Sequence, residues 1–218
     1  MPDEPLRERG KARRTGRIVH AAAELWRAHG MENVSLNQIA AEAEVAPQTV
    51  YNLIGGLDAL GFAVLKVALA EMDAASARTT TTGVEFALEV ARTSVEVWTG
   101  DARLYRQVLV RIPQVLFNGV HLGRDTADTT ILAMKQAHET REIIPQADPE
   151  RLGRAIYVSY LGALYDWACG DSDDEEFFRA AQVAVLAPVA ACANEALRAR
   201  LTARLLTVLA KPTEVAEA

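Results

Sequence analysis

The stretch Val-Ser-Leu-Asn-Gln-Ile-Ala-Ala-Glu-Ala-Glu-Val-Ala-Pro-Gln-Thr-Val-Tyr-Asn-Leu-Ile, residues 34–54, admits few folds other than two short helices joined by a tight turn. Ser35 is a good N-cap, and Gln38 stands three residues on, where its amide can bond back to complete a capping box. Val34 before the cap and Ile39 after it are spaced for a hydrophobic staple. Leu36, Ile39, Ala40 and Ala43 recur at helical spacing and define a face to bury. Glu44 and Val45 carry the turn. Pro47 suits the first position of the second helix, where its missing N–H would find no partner anyway. In that helix Val50 and Ile54, four apart, point inward and leave Gln48, Thr49, Tyr51 and Asn52 outside. A short helix that is dry on one side and lined with amides and hydroxyls on the other fits the recognition helix of a helix-turn-helix unit. The same pattern also fits a plain helical hairpin whose polar face is only solvated.

The flanking residues favour the first. Ile18, Ala22, Ala23, Leu25, Trp26 and Gly30 precede the motif, and Thr49, Val50, Tyr51 and Leu60 lie in and after it. Together they resemble the N-terminal domain of the TetR family of one-component transcriptional regulators, over about residues 15 to 62. The rest of the chain resembles that family only in length and helical character. The sequence departs from the family pattern at four places. Glu44 stands for the usual Gly of the turn, Ala46 for the Ser or Thr cap, Ile54 for an aromatic, and Leu57 for a phosphate-touching Lys. The missing cap costs about 1 kcal/mol. Glu44 has none of glycine's tolerance for positive φ.

Charge is unevenly spread. The chain of 218 residues carries a net charge of −6, yet Arg7, Arg9, Lys11, Arg13, Arg14 and Arg17 crowd the approach to the first helix, which is expected from near Thr15 to His29. Such a basic arm is a phosphate contact or a solvated tail, and arms in this place often follow the DNA backbone in similar proteins. Between Asn33 and Leu65 there is no Lys or Arg, so the arm is expected to carry most of the electrostatic attraction. On the DNA side the candidate residues are Arg13, Arg14, Arg17, Ser35, Asn37, Gln48, Thr49, Tyr51 and Asn52. Gln48 and Asn52 are the residues suited to adenine, while Thr49 and Tyr51 suit phosphate oxygens or a thymine methyl.

Beyond Gly55-Gly56 a long helix is expected from Leu57 to roughly Arg78, then a loop at the Thr run before Gly83. Segments 84–99, 101–117, 124–142 and 149–169 read as further helices, with Pro113 kinking or splitting the second. Asp171, Asp173, Asp174, Glu175 and Glu176 read as helix-start electrostatics and not as a metal site, and Pro188 interrupts the stretch that follows, which is either a kinked helix or two helices in series. The resemblance implies a homodimer built from the last two long helices. Its faces are expected from Ala155, Val158, Leu161, Gly162 and Tyr165, and from Val183, Leu186, Val189, Leu197 and Leu201, although the same stripes also fit helices that only face their own core. Trp98, Tyr105, Phe117, Tyr157, Tyr160, Tyr165 and Trp167, with His121 or His138 as a polar anchor, are candidates to line a ligand cavity, the first three with His121 foremost, although aromatics at helical spacing also serve as plain core. The few charges between 84 and 117 favour a lipophilic or aromatic ligand over a highly charged one.

The expected fold is therefore all-α, with a three-helix helix-turn-helix domain at 1–57 and a larger helical ligand-binding and dimerisation domain at 58–218. The implied function is a ligand-responsive regulator, a repressor, binding a pseudo-palindromic double-stranded operator as a homodimer and released by a small-molecule effector. The alternative is a helical binding or interaction module whose helix-turn-helix no longer reads DNA. An enzyme is not expected: four scattered histidines and the isolated Cys169 and Cys192 give no paired site, no cofactor motif and no metal-ligand spacing. With neither a membrane-spanning apolar run nor a signal-peptide pattern, the expected location is the cytoplasm, with no membrane partner.

Overall fold

The computed structural model describes residues 6–111 and 125–210. Among these there is no strand, and the helices are α1 (Leu6–His29), α2 (Leu36–Glu42), α3 (Pro47–Leu53), α4 (Leu57–Ser76), α5 (Gly83–Gly100), α6 (Ala102–Arg111), α7 (Asp128–Glu139), α8 (Pro149–Cys169), α9 (Asp174–Cys192) and α10 (Glu195–Leu209). No single helix among them is long and apolar enough to cross a membrane. They form two compact units, one of residues 6–71 with 100–111 and one of 72–99 with 125–210. The division falls inside α4.

In the first unit α1 packs against α2, α3 and α6. Its Ile18, Ala22 and Trp26, one helical turn apart, are buried, with Ile39 and Ala40 of α2, Val50 of α3 and Leu60, Val64 and Leu65 of α4. Trp26 fills the place of a core aromatic, but its indole Nε1 has no hydrogen-bond partner among the described residues. Gly30 (φ 89°) ends α1 and turns the chain into a short 3₁₀ segment, Met31–Asn33. The first helix starts nine residues earlier than the sequence suggests, at Leu6 and not Thr15. Residues 6–14 are mostly Leu, Arg, Glu, Lys and Ala, strong helix formers, and Gly10 does not break the run. The basic arm is thus the first part of α1.

The described portion of the 101–117 segment belongs to this unit. Arg27 Nε donates to Asp101 Oδ2 at 2.9 Å, the backbone N–H of Met31 donates to Gln107 Oε1 at 2.7 Å, and Arg103 donates to the Ala28 carbonyl at 3.1 Å. Leu104, Val108 and Leu109 supply α6's buried face.

The second unit is a stack of α7, α8, α9 and α10 in which α8 packs on α7 and α9, and α9 on α10. Asp148 caps α8 through the N–H groups of Glu150 and Arg151, with Pro149 at the first position. The acidic cluster does start a helix. Asp173 accepts from Glu176 N at 2.7 Å, Asp174 accepts from Trp167 Nε1 at 2.7 Å, and Glu175 and Glu176 hold Arg179. Pro188 lies within α9, and a second helix follows after Asn194 caps α10. Trp167 stacks on Phe177 with ring centroids 5.1 Å apart. Gly153 lets α8 approach α7 closely: a Cβ there would lie 2.5 Å from the Ile131 Cα. The expected dimer stripes divide. Leu161, Leu186, Val189 and Leu201 are buried in their own unit, whereas Ala155, Val158 and Gly162 lie on the exposed side of α8.

Backbone geometry sets the expected outcome of two substitutions. Gly153→Ala pushes against the α7 backbone and should lower the unfolding free energy by about 1–3 kcal/mol in urea denaturation. Glu44 sits at φ 50°, a left-handed conformation that costs an L-residue about 1–2 kcal/mol, and its 3.5 Å ion pair to Arg17 is exposed and worth at most about 1 kcal/mol. Glu44→Gly should therefore raise stability by about 0.5 kcal/mol. A lower stability in the same assay would show that the ion pair outweighs the strain.

Candidate nucleic-acid interface

The reading head is built from two seven-residue helices, each too short to persist alone. α2 starts on the capping box expected from sequence. Ser35 Oγ accepts from Gln38 N at 3.3 Å and donates to Gln38 Oε1 at 2.7 Å, while Ser35 N donates to the same oxygen at 2.8 Å. The Ser35 hydroxyl is thus engaged locally, although the residue is exposed. α3 has no side-chain cap, since Ala46 stands at that position, and begins on Pro47. Its placement comes from Val50, fully buried, which contributes about 1.5–3 kcal/mol.

With Val50 inward, the outer face of α3 presents Gln48, Tyr51 and Asn52, with Thr49 half-buried at the edge. Tyr51 is 64% exposed, too open for a core role. Gln48 Nε2 donates to Asn52 Oδ1 at 2.9 Å across one helical turn. The bond leaves Gln48 Oε1 as an outward acceptor and Asn52 Nδ2 as an outward donor. That is the pair of functions a base edge in the major groove engages. Asn37 is exposed on α2.

Arg13, Arg14 and Arg17 all lie on the open side of α1, but Arg17 has a second task. Its guanidinium donates to the Ala43 carbonyl, where α2 ends, and reaches the Glu44 carbonyl at 3.4 Å and carboxylate at 3.5 Å. The cation thus satisfies carbonyls that a helix end leaves open. Sequence could not show this link, which spans 26 positions; the i, i+4 spacing of Gln48 and Asn52 did foreshadow theirs. Glu42 and Glu44 are exposed here, and α2 and α3 carry no Lys or Arg.

The candidate ligand residues are dispersed. Trp98 belongs to the second unit, where its Nε1 donates to Tyr160 Oη at 3.0 Å and the Tyr160 hydroxyl is hydrogen-bonded to Ser94. Burial raises the Tyr160 phenol pKa well above its usual value, with the bonds to Ser94 and Trp98 opposing. Tyr105 belongs to the first unit, and burial likewise moves its phenol up. Phe117 and His121 lie outside the described residues. Among the described residues no group of three His, Cys, Asp or Glu side chains is placed to hold a metal ion.

Residues 18–53 match the family model for bacterial regulatory proteins of the tetR family. No curated protein matches the sequence. Among solved structures, the chain is similar to SmeT, the repressor of the Stenotrophomonas maltophilia multidrug efflux pump SmeDEF, at 21% identity and TM-score 0.62, over 84% of this chain and 92% of that one. It is also similar to CprB, a TetR-family protein from S. coelicolor A3(2), at 17% identity and TM-score 0.59, over 88% and 97%. A gamma-butyrolactone receptor (ArpA-like protein) aligns at 13% identity and TM-score 0.57, over 91% and 97%. At these identities the likeness is one of fold. Residues 18–53 are thus the helix-turn-helix domain of the tetR family, carried on a chain with the fold of TetR-family regulators.

Proposed function

We propose that the chain is a ligand-responsive transcriptional repressor that binds a pseudo-palindromic operator as a homodimer and leaves it when a small molecule binds. The observation that carries this reading is α3, a helix dry beneath at Val50 and lined outside by Tyr51 and the paired amides of Gln48 and Asn52. The division of labour we propose assigns DNA to residues 1–57, and effector and dimer contacts to 58–218. For the dimer, the support is the exposed side of α8, where Ala155, Val158, Ser159 and Gly162 lie along one edge, with Val158 55% exposed. Small residues let helices approach closely, and an apolar edge of this kind favours burial against a second copy. A groove of about 590 Å³ bounded by Gly162, Arg179, Val183 and Leu209 continues that surface. For the effector, a lipophilic or aromatic compound fits the apolar body helices. SmeT represses a multidrug efflux pump and the ArpA-like protein is a gamma-butyrolactone receptor, which is consistent with this class.

One binding experiment separates base reading from phosphate attraction. On DNA flanking its own gene, Gln48→Ala or Asn52→Ala should cost about 1–3 kcal/mol at particular operator base pairs and leave other positions unaffected. Arg13→Gln with Arg14→Gln should weaken all sequences alike. That double change should also flatten the plot of log K against log salt by about 0.9 for each phosphate no longer neutralised. A uniform weakening by Gln48→Ala would reduce α3 to a backbone contact. An absence of binding to any sequence at low salt would favour the reading of a helix-turn-helix that no longer engages DNA.

A further inference from the structure

The first unit contains a groove that DNA reading leaves unused. It lies between α1, α4 and α6 and has a volume of about 530 Å³, within the range of about 300–1,000 Å³ that small-molecule sites occupy. Val19 and Ala23 of α1, Val64 and Val67 of α4, and Leu104 and Tyr105 of α6 make its walls apolar. Val67 is 56% exposed, although it stands beside a helix core, so the apolar surface is open to solvent. Among the described lining residues three are basic, His20, Arg27 and Lys66, and none is acidic. The Arg27 charge is taken up by Glu24 and Asp101. Lys66 and His20 make no ion pair among the described residues, and both are exposed at the groove. Glu71 and Asp101 act on Tyr105 from nearby but do not line the groove.

We propose that this groove binds a small amphipathic carboxylate, with its apolar body against Val19, Val64 and Leu104 and its carboxylate at Lys66 and His20. The Lys66 ammonium, unpaired among the described residues, suits a monoanion, and the apolar walls suit a hydrocarbon or aromatic tail more than a sugar or polyphosphate. Every residue of the site belongs to the first unit. It is formed in part by α1, the helix that carries the basic residues and the Arg17 contact to the turn, so a ligand here acts on the reading unit itself.

The test uses no DNA, so its outcome is independent of the operator reading. Full-length protein with ¹³C-labelled methyl groups is titrated with sodium octanoate and, separately, with octan-1-ol, following the methyl resonances of Val19, Val64 and Leu104. Octanoate should shift these signals to saturation. Lys66→Gln, at an exposed position that should not disturb folding, should weaken octanoate about fivefold and leave octanol unchanged. Val67→Glu should weaken octanoate more than octanol, because it places a carboxylate beside the bound one. The proposal is overturned if the groove methyls stay unmoved while octanoate binds elsewhere, or if Lys66→Gln leaves octanoate affinity at the wild-type value.

Discussion

A seven-residue helix in water is unstable, because nucleation costs more than a few backbone hydrogen bonds return. α3 persists because Val50 is buried where α3 packs on α1 and α2, and the rest of the reading head follows from that burial. With Val50 inward, the 3.6-residue repeat turns Gln48, Tyr51 and Asn52 outward, and no rotation of the helix could bury them without exposing Val50. The turn before α3 is held by a second, polar device. Arg17 reaches from α1 to the Ala43 carbonyl, closing the end of α2 where Glu44 is forced to positive φ. The apolar seam places the helix, and the arginine fixes the angle at which the chain enters it.

The extension of α1 to Leu6 changes how charge is delivered. Arg9, Arg13 and Arg17 recur at i, i+4 and i+8 on one side of that helix, and Arg17 is the member that grips the turn. Basic side chains on a formed helix need less ordering on binding than the same residues on a loose tail. This matters in a chain with a net charge of −6, whose head carries Glu42 and Glu44 but no Lys or Arg between Asn33 and Leu65.

Local features were legible in the sequence because their causes are local. The capping box at Ser35, the stop at Gly30, Pro47 at the start of α3 and the start of α8 at Pro149 each depend on residues within a turn of one another. Tertiary choices were not. Arg17 bonds to the turn across 26 positions, Arg27 of α1 bonds to Asp101 just before α6, and Gln107 of α6 accepts from Met31 of the 3₁₀ segment, partners no periodicity announces. The apolar stripes of α8 and α9 looked equivalent as letters. Only packing shows that Leu161 and Leu186 are spent on their own core while Val158 remains outside. The aromatic candidates Trp98 and Tyr105 fall in different units for the same reason: spacing along a helix says nothing about which neighbours it meets.

Whether this head reads a two-fold DNA sequence is measured most directly by selecting binding sites from a random double-stranded pool. The full-length protein is used, with sequencing after successive rounds. The expected result is enrichment of an inverted repeat whose half-sites are centred about 10–10.5 base pairs apart, or a multiple of that spacing. Recovery of no preferred sequence, or of a lone half-site saturated by one protomer, would contradict it.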